Sequence, residues 1–381
     1  MIRKYFLTHG RGTQQFVISE LKDLIESDSF LDDSVEGKIV FSTKLPIDHL
    51  IRLKTIERLF LCLHFVNFSD RRDDLKSDPH QLIEQSIQTI DRDLFESIEF
   101  KSLLNDPKRA CPSRRFRCNC KLTGSFRKSK WIRKDLSEKL TAKLKQVDAR
   151  CESDANDPDF ELIFHLTDAC LAFGVQLTRE PLSRRSYIRH VGLRSTICSA
   201  MLRLADLQSD DSTTSMIVLD PFCGKSTIFA EYFGASSSSH RKHFLIGADS
   251  SEEQLISSVE NLGSYASLSR SALFRQFPYR NESIDLIISD LPFGRNHPKH
   301  FYDESNEKFY ADSLREFKRM LRKPEGCAIL LINSQEVSQF EKAVNCLNAN
   351  DCFFQVSSKH ALSLGETSAV LFKINLVLKK Q

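Results

Sequence analysis

From about Ser195 to Gln381, short apolar runs alternate with amphipathic stretches, and this alternation narrows the possible folds more than any other feature of the chain. The runs are Met216–Leu219, Phe244–Ala248, Ile284–Ser289 and Cys327–Ile332. Glu252–Leu262, Asn306–Leu321 and Glu336–Leu347 lie between or after them, with apolar residues at helical spacing. Strands that are apolar along their whole length are buried on both faces. That predicts a parallel α/β sheet covered by helices on each side. Phe353–Ser357 and Ala369–Leu378 read as a late hairpin at one edge, and Ser236–Ser239 as a loop.

The first half reads differently. With 381 residues, and roughly 100–200 per domain, two or three domains are expected. Residues 1–78 read as a small α+β domain. Tyr5–Thr8, Lys38–Ser42 and Leu59–Leu63 are its strand candidates, Gly10-Arg11-Gly12 is a turn, and Phe16, Ile18, Leu21, Leu24 and Ile25 follow at helical spacing. A polar break at Ser69–Asp78 separates a second domain, residues 79–182. There, Phe116–Cys120, Glu161–Leu166 and Ala172–Leu177 read as strands, Ile132–Leu144 as a helix and Glu152–Asp159 as a loop. Residues 183–194 read as a linker into the α/β domain at 195–381.

Net charge is only +3, but it is unevenly spread: Lys101–Arg150 holds 16 Lys/Arg against 4 Asp/Glu. Within it, Arg114, Arg115, Arg117, Lys121, Arg127, Lys128, Lys130, Arg133 and Lys134 can neutralise phosphates. The bland alternative is a solvated charged face. The one-sided excess favours nucleic acid. Trp131, the only tryptophan, is expected in the core rather than stacking on a base. The 11 cysteines are scattered, and Cys118-x-Cys120 has neither zinc nor redox spacing, so no metal site and reduced thiols are expected. The N-terminus lacks a signal-peptide pattern, and no apolar run is long enough to span a bilayer. A cytoplasmic or nuclear protein without membrane association follows.

Three acid-terminated strands carry the chemistry. The first is Val218-Leu219-Asp220-Pro221-Phe222-Cys223-Gly224-Lys225-Ser226-Thr227. A phosphate-binding loop would need glycine five residues before Gly224, where Leu219 stands, and a dinucleotide fingerprint would need three glycines. What remains is a strand, a tight loop and a helix, the place where open α/β sheets bind ligands. The second is Leu245-Ile246-Gly247-Ala248-Asp249, whose acid sits where ribose hydroxyls are held; Asp249 or Ser250 could equally cap the next helix. The third is Ile284-Asp285-Leu286-Ile287-Ile288-Ser289-Asp290-Leu291-Pro292-Phe293-Gly294. An acid followed by proline and an aromatic suits methylation of an amine. The carboxylate accepts from the NH2 and turns its lone pair toward an electrophilic methyl, and the ring stacks on the base. His297 and His300 follow, near a substrate mouth or merely at the surface.

These segments resemble class I methyltransferases acting on amino groups. With Gly192-Leu193-Arg194-Ser195-Thr196-Ile197, Tyr5–Gly12, Glu57–Leu61, Phe116–Lys121 and Pro181–Tyr187, the chain resembles the THUMP-domain guanine-N2 RNA methyltransferases over nearly its whole length. The resemblance implies an α/β Rossmann-like class I methyltransferase domain preceded by an α+β ferredoxin-like plus THUMP RNA-binding module. It implies methyl transfer from S-adenosylmethionine to the N2 amine of a guanosine. The RNA would be tRNA, or U6 small nuclear RNA for one branch, and a small zinc-binding activator subunit would be the partner. Asp290, Pro292 and Phe293 would be catalytic. Asp220, Pro221, Phe222, Cys223, Gly224, Asp249, Ser250 and Asp290 would hold the cofactor. Two departures stand out: Ser226 replaces the family's glycine, and Leu273 stands where many relatives have an acid. They leave a second reading, a catalytically degenerate RNA-binding scaffold.

Overall fold

The structure is a computed structural model that describes residues 2–24, 30–68, 79–96, 100, 114–207, 215–235, 243–271, 276–292, 306–347 and 352–378. They form two compact units, Met1–His9 with Val17–Leu182, and Gly10–Phe16 with Ser183–Gln381.

The first half of the chain contains, in order, β1 (Arg3–Thr8), α1 (Gln14–Leu24), β2 (Phe30–Val35), β3 (Lys38–Thr43), α2 (Ile47–Leu50), β4 (Arg58–Asn67), α3 (Pro79–Gln88), α4 (Arg92–Glu96), β5 (Arg114–Leu122), α5 (Lys130–Val147), β6 (Cys151–Ser153), β7 (Phe160–Leu166) and β8 (Cys170–Gln176). All eight strands form one sheet, ordered β2-β3-β1-β4-β8-β7-β5-β6. β4 pairs antiparallel with both β1 and β8, so a single sheet runs through the two segments that the sequence divides at Ser69–Asp78. That break lies outside the described residues. β8 comes close to β4 because Gly174 has no side chain: a Cβ there would stand 2.3 Å from the Leu61 carbonyl oxygen. α5 lays Ile132, Leu136, Leu140 and Leu144 into the core at four-residue spacing. Each such burial stabilises the fold by roughly 1.5–3 kcal/mol.

The second half contains α6 (Ser195–Leu204), β9 (Ile217–Asp220), α7 (Thr227–Ala235), β10 (Phe244–Asp249), α8 (Glu252–Leu262), β11 (Ser267–Arg270), β12 (Leu286–Asp290), α9 (Asn306–Met320), β13 (Cys327–Asn333), α10 (Val337–Leu347), β14 (Cys352–Ser363) and β15 (Ser368–Leu378). The sheet order is β11-β10-β9-β12-β13-β15-β14. β9 to β13 pair in parallel and β15 runs antiparallel to both neighbours. Both faces are packed, as the apolar runs required. Leu219, Ile287 and Leu330 enter one core, and Val218, Ile288, Ile329 and Leu331 the other.

Three strands were not legible in the sequence. β2 (Phe-Leu-Asp-Asp-Ser-Val), β6 and β11 (Ser-Leu-Ser-Arg) are polar and lie at or next to sheet edges, where one row of backbone groups faces away from the sheet. β6 overlaps the start of the stretch expected to be a loop, at Glu152 and Ser153.

The expected linker is anchored within the second unit. Arg185 Nε and Nη2 reach the Glu231 carboxylate at 3.0–3.1 Å, Tyr187 Oη donates to it at 2.9 Å, and Ser199 Oγ at 2.6 Å. The two charged side chains are 5% and 0% exposed. Breaking such a buried pair from one side strands the other charge, at a cost of about 3–5 kcal/mol. Arg185→Met should therefore lower the urea midpoint of the full-length chain sharply. A midpoint matching wild type would show that the pair does not hold this segment.

Candidate active site and basic face

β9, β10 and β12 lie side by side, and each ends in a carboxylate: Asp220, Asp249 and Asp290. The chain leaves β9 on one side to reach β10 and returns on the other side as β12. The carboxyl ends of β9 and β12 thus flank the point where strand order reverses, where open sheets bind ligands.

Asp220 is buried. Its Oδ1 accepts from Ser289 Oγ at 2.6 Å and from the Phe222 N–H at 3.2 Å. Burial, reinforced by the negative charges of Asp290 and Asp249 and opposed by those two hydrogen bonds, pushes its pKa up to about 8. Asp249 holds the loop: Oδ2 accepts from Gly224 N at 2.9 Å and Oδ1 from Ser251 N at 2.8 Å. A carboxylate has about four acceptor positions, so two remain for hydroxyls. The helix cap expected at Asp249 or Ser250 falls instead at Ser251, whose side chain accepts from Gln254 N. Ser250 is exposed. Asp290 is different. Its Oδ1 is buried without a hydrogen-bond partner among the described residues, and burial pushes its pKa up to about 7. Buried polar atoms are nearly always satisfied, so an orphaned acceptor points to a missing donor.

The loop after β9 is fixed from several sides. Pro221 and Cys223 are buried, and Cys223 N donates to Ala248 O at 2.8 Å. The Phe222 ring lies 6.0 Å from Phe277 and 5.6 Å from Phe309. Ser226 adopts φ 53°, a left-handed conformation that favours glycine. Its side chain is fully buried, and its Oγ lies 2.5 Å from Ser258 Oγ on α8, so its hydroxyl is committed to α8. Three further groups carried no signal legible in the sequence. Ser289 bridges β12 to β9. Asn261 Oδ1 accepts from Arg189 N and His190 N, while its Nδ2 donates to His190 O and Lys225 O. Thr227 Oγ1 accepts from Gly192 N. Pro292 is half-buried after β12. Phe293, Gly294, His297, His300 and Leu273 lie outside the described residues.

In the first unit the basic residues divide into two groups. Arg114 pairs with Asp148 and lies 5.0 Å above the Phe95 ring. Arg115 pairs with Asp154, Asp157 and Asp159, and Arg117 with Glu161. Lys121, Arg127, Lys128, Lys130, Arg133 and Lys134 are exposed, and among the described residues their one ion pair is Lys134 with Glu138 at 3.8 Å. Trp131 is not in the core. It is 43% exposed because Ile132, one position on, takes the buried place. No helix among the described residues is long and apolar enough to cross a membrane.

Seven strands in this order, with acids closing β9, β10 and β12, define a Rossmann-like class I methyltransferase domain. Residues 183–353 match the family model for the RMKL-like methyltransferase domain. The mouse U6 snRNA (guanine-N(2))-methyltransferase THUMPD2 is 26% identical over 417 residues, covering 87% of this chain and 75% of the relative. The mouse tRNA (guanine(6)-N(2))-methyltransferase THUMP3 is 29% identical over 212 residues, 51% of this chain and 39% of the relative. Among solved structures, TrmN from Thermus thermophilus superimposes with a TM-score of 0.71 at 20% identity, over 98% of this chain and 99% of that one. The chain is a homologue of the THUMP-domain guanine-N2 RNA methyltransferases.

Two measurements probe this site. A raised carboxylate pKa means that the folded state keeps a proton that the unfolded chain loses. The stability from Asp220 is therefore complete below its ordinary 3.8 and falls as pH climbs toward about 8. Asp220→Asn should flatten that decline in unfolding free energy; an unchanged slope would place the proton elsewhere. Ser226→Ala should cost about 1–3 kcal/mol, since it leaves the Ser258 hydroxyl buried and alone. Ser226→Gly should cost less, because it also relieves a left-handed backbone worth about 1 kcal/mol. Chemical denaturation of both variants checks the order.

Proposed function

We propose that this chain transfers a methyl group from S-adenosylmethionine to the N2 amine of a guanosine in RNA. The observation that carries the reading is the unpartnered, buried Oδ1 of Asp290 at the end of β12, beside two further carboxylates. The residues suit that cofactor. An acidic strand-end cluster would suit its cationic amino group and sulfonium, and the free acceptor positions of Asp249 would suit its ribose hydroxyls. Pro221, Phe222, Cys223, Gly224 and Ser250 would line its loop. When bound, the cofactor supplies an electrophilic methyl carbon on sulfur.

The protein's part is placement. The amine is a weak nucleophile, so orientation carries most of the rate. Ionised Asp290 accepts an N–H of the guanine amine and aims the nitrogen lone pair. The amine must give up a proton on methylation, and the Asp290 carboxylate is placed to take it. Pro292 stiffens the turn that sets this carboxylate. Phe293 stacks on the base. Ser289 and Asp220 hold β12 against β9, so the amine site and the cofactor loop keep their spacing.

The RNA is bound by the domain at 79–182, which follows the ferredoxin-like domain at 1–78 and leads through 183–194 into the catalytic domain at 195–381. Arg127, Lys128, Lys130, Arg133 and Lys134 supply phosphate contacts. U6 small nuclear RNA is the substrate class favoured by the relative that covers most of this chain, and tRNA is the other arm of the test. Either places the protein in the nucleus or cytoplasm. A small zinc-binding activator subunit is the partner. Ile256 and Val259 on α8, with Tyr265 before the edge strand β11, are exposed and offer it an apolar surface. The catalytically degenerate scaffold is not favoured, because all three acids stand together and Ser226 turns its hydroxyl to α8.

Asp290→Asn should lower methylation of guanosine in U6 RNA and tRNA transcripts by at least about a hundredfold, with RNA affinity unchanged. Turnover near wild type would remove Asp290 from the mechanism. Because an Asp290 acid pushed up to about 7 must ionise to accept, the wild-type kcat/KM should climb through neutral pH, and the variant's residual kcat/KM should not.

A further inference from the structure

Trp131, the only tryptophan in the chain, stands in the first turn of α5 with 43% of its surface exposed. A large apolar ring left out of the core is worth explaining. The ring is not loose. It stacks on His80 of α3, centroids 4.4 Å apart and planes at 29°. His80 Nδ1 lies 2.9 Å from Asp135 Oδ2, one turn beyond Trp131. Asp135 also pairs with Lys139 at 3.3 Å, and Lys139 reaches back to Glu84 of α3 at 2.9 Å. Trp131, Asp135 and Lys139 therefore form one stripe of α5, met by His80 and Glu84 along α3. This ladder fixes the imidazole, and the imidazole fixes the indole.

The surroundings are cationic. Arg127, Lys128, Lys130, Arg133 and Lys134 are all exposed within four residues of Trp131. The approach to them is pinned as well: Ser125 N and Oγ donate to Asp168 at 3.0 and 2.5 Å. Gly124 before it has φ 61°, and a Cβ there would collide with the Asp168 carboxylate. By contrast, the arginines of β5 are neutralised by carboxylates. Around Trp131, the exposed cations Arg127, Lys128, Lys130 and Arg133 have no carboxylate partner among the described residues.

An aromatic face beside flexible cations takes an unpaired nucleobase and its flanking phosphates, because every base has a face to stack and every linkage a charge. We propose that the Trp131–His80 pair is a stacking platform for an unpaired nucleotide of the RNA substrate. The proposal rests on the RNA-modifying function given above. A fully paired helix buries its base faces and would not engage the platform.

A single tryptophan makes the test direct, since all indole emission comes from this position. Full-length protein is titrated with oligoadenylate, with a blunt RNA duplex of the same length, and with inorganic polyphosphate. Oligoadenylate should quench the emission, and the other two should not. Trp131→Ala should weaken oligoadenylate binding roughly tenfold, measured by anisotropy of a labelled strand, and leave polyphosphate binding unchanged. Trp131→Phe should recover most of the loss, and His80→Ala should show a smaller one. Oligoadenylate binding that Trp131→Ala leaves intact would overturn the platform while the RNA reading stands. Wild-type protein that binds neither RNA would overturn both.

Discussion

A carboxylate buried where two strands part is the constraint on which the catalytic half depends. Asp220 closes β9 at the one position where the sheet's connections run in opposite directions. Ser289 Oγ, bonded to it at 2.6 Å, ties β12 to β9 at their open ends. That side-chain tie adds to the β9–β12 backbone ladder in setting Asp290 relative to the loop at Gly224. The electrostatic consequence runs in the same direction. Burial, with the charges of Asp290 and Asp249, raises the pKa of Asp220, so a cationic ligand would favour loss of its proton.

Around this cluster the fold spends hydrogen bonds on its loops rather than on its strands. Asn261 alone makes four bonds that gather Arg189, His190 and Lys225 over the start of α7. Glu231 gathers Arg185, Tyr187 and Ser199 in the same way. The segment after Ser183 is thus part of the catalytic unit's framework. Ser226 belongs to this pattern. Its backbone takes the conformation that glycine takes easily, and a buried hydroxyl pair with Ser258 offsets the strain.

The first unit shows why a count of basic residues is a poor map of a binding face. Arg114, Arg115 and Arg117 sit on β5, where carboxylates at 148, 154, 157, 159 and 161 meet them. The cations that remain available belong to the loop after β5 and the first turns of α5. Both groups look alike as a run of charge. Only their position relative to the acids separates them.

The sequence by itself determined the alternation of strands and helices in the second half and the acids at the ends of β9, β10 and β12. Those properties are local: an apolar run and the residue that ends it are neighbours in the chain. It did not determine β2, β6 or β11, whose polar residues are strands only because another strand offers them hydrogen bonds. Nor did it determine the single sheet through the first half, which depends on β4 meeting β8 more than a hundred residues later. Trp131 is the sharpest case. One residue's difference in helical phase separates the indole from Ile132, which shares the buried stripe of Leu136, Leu140 and Leu144, and only the packing of α3 against α5 shows His80 covering the indole. Tertiary contact alone decided it, because burial is a property of what lies opposite a side chain and not of what lies beside it.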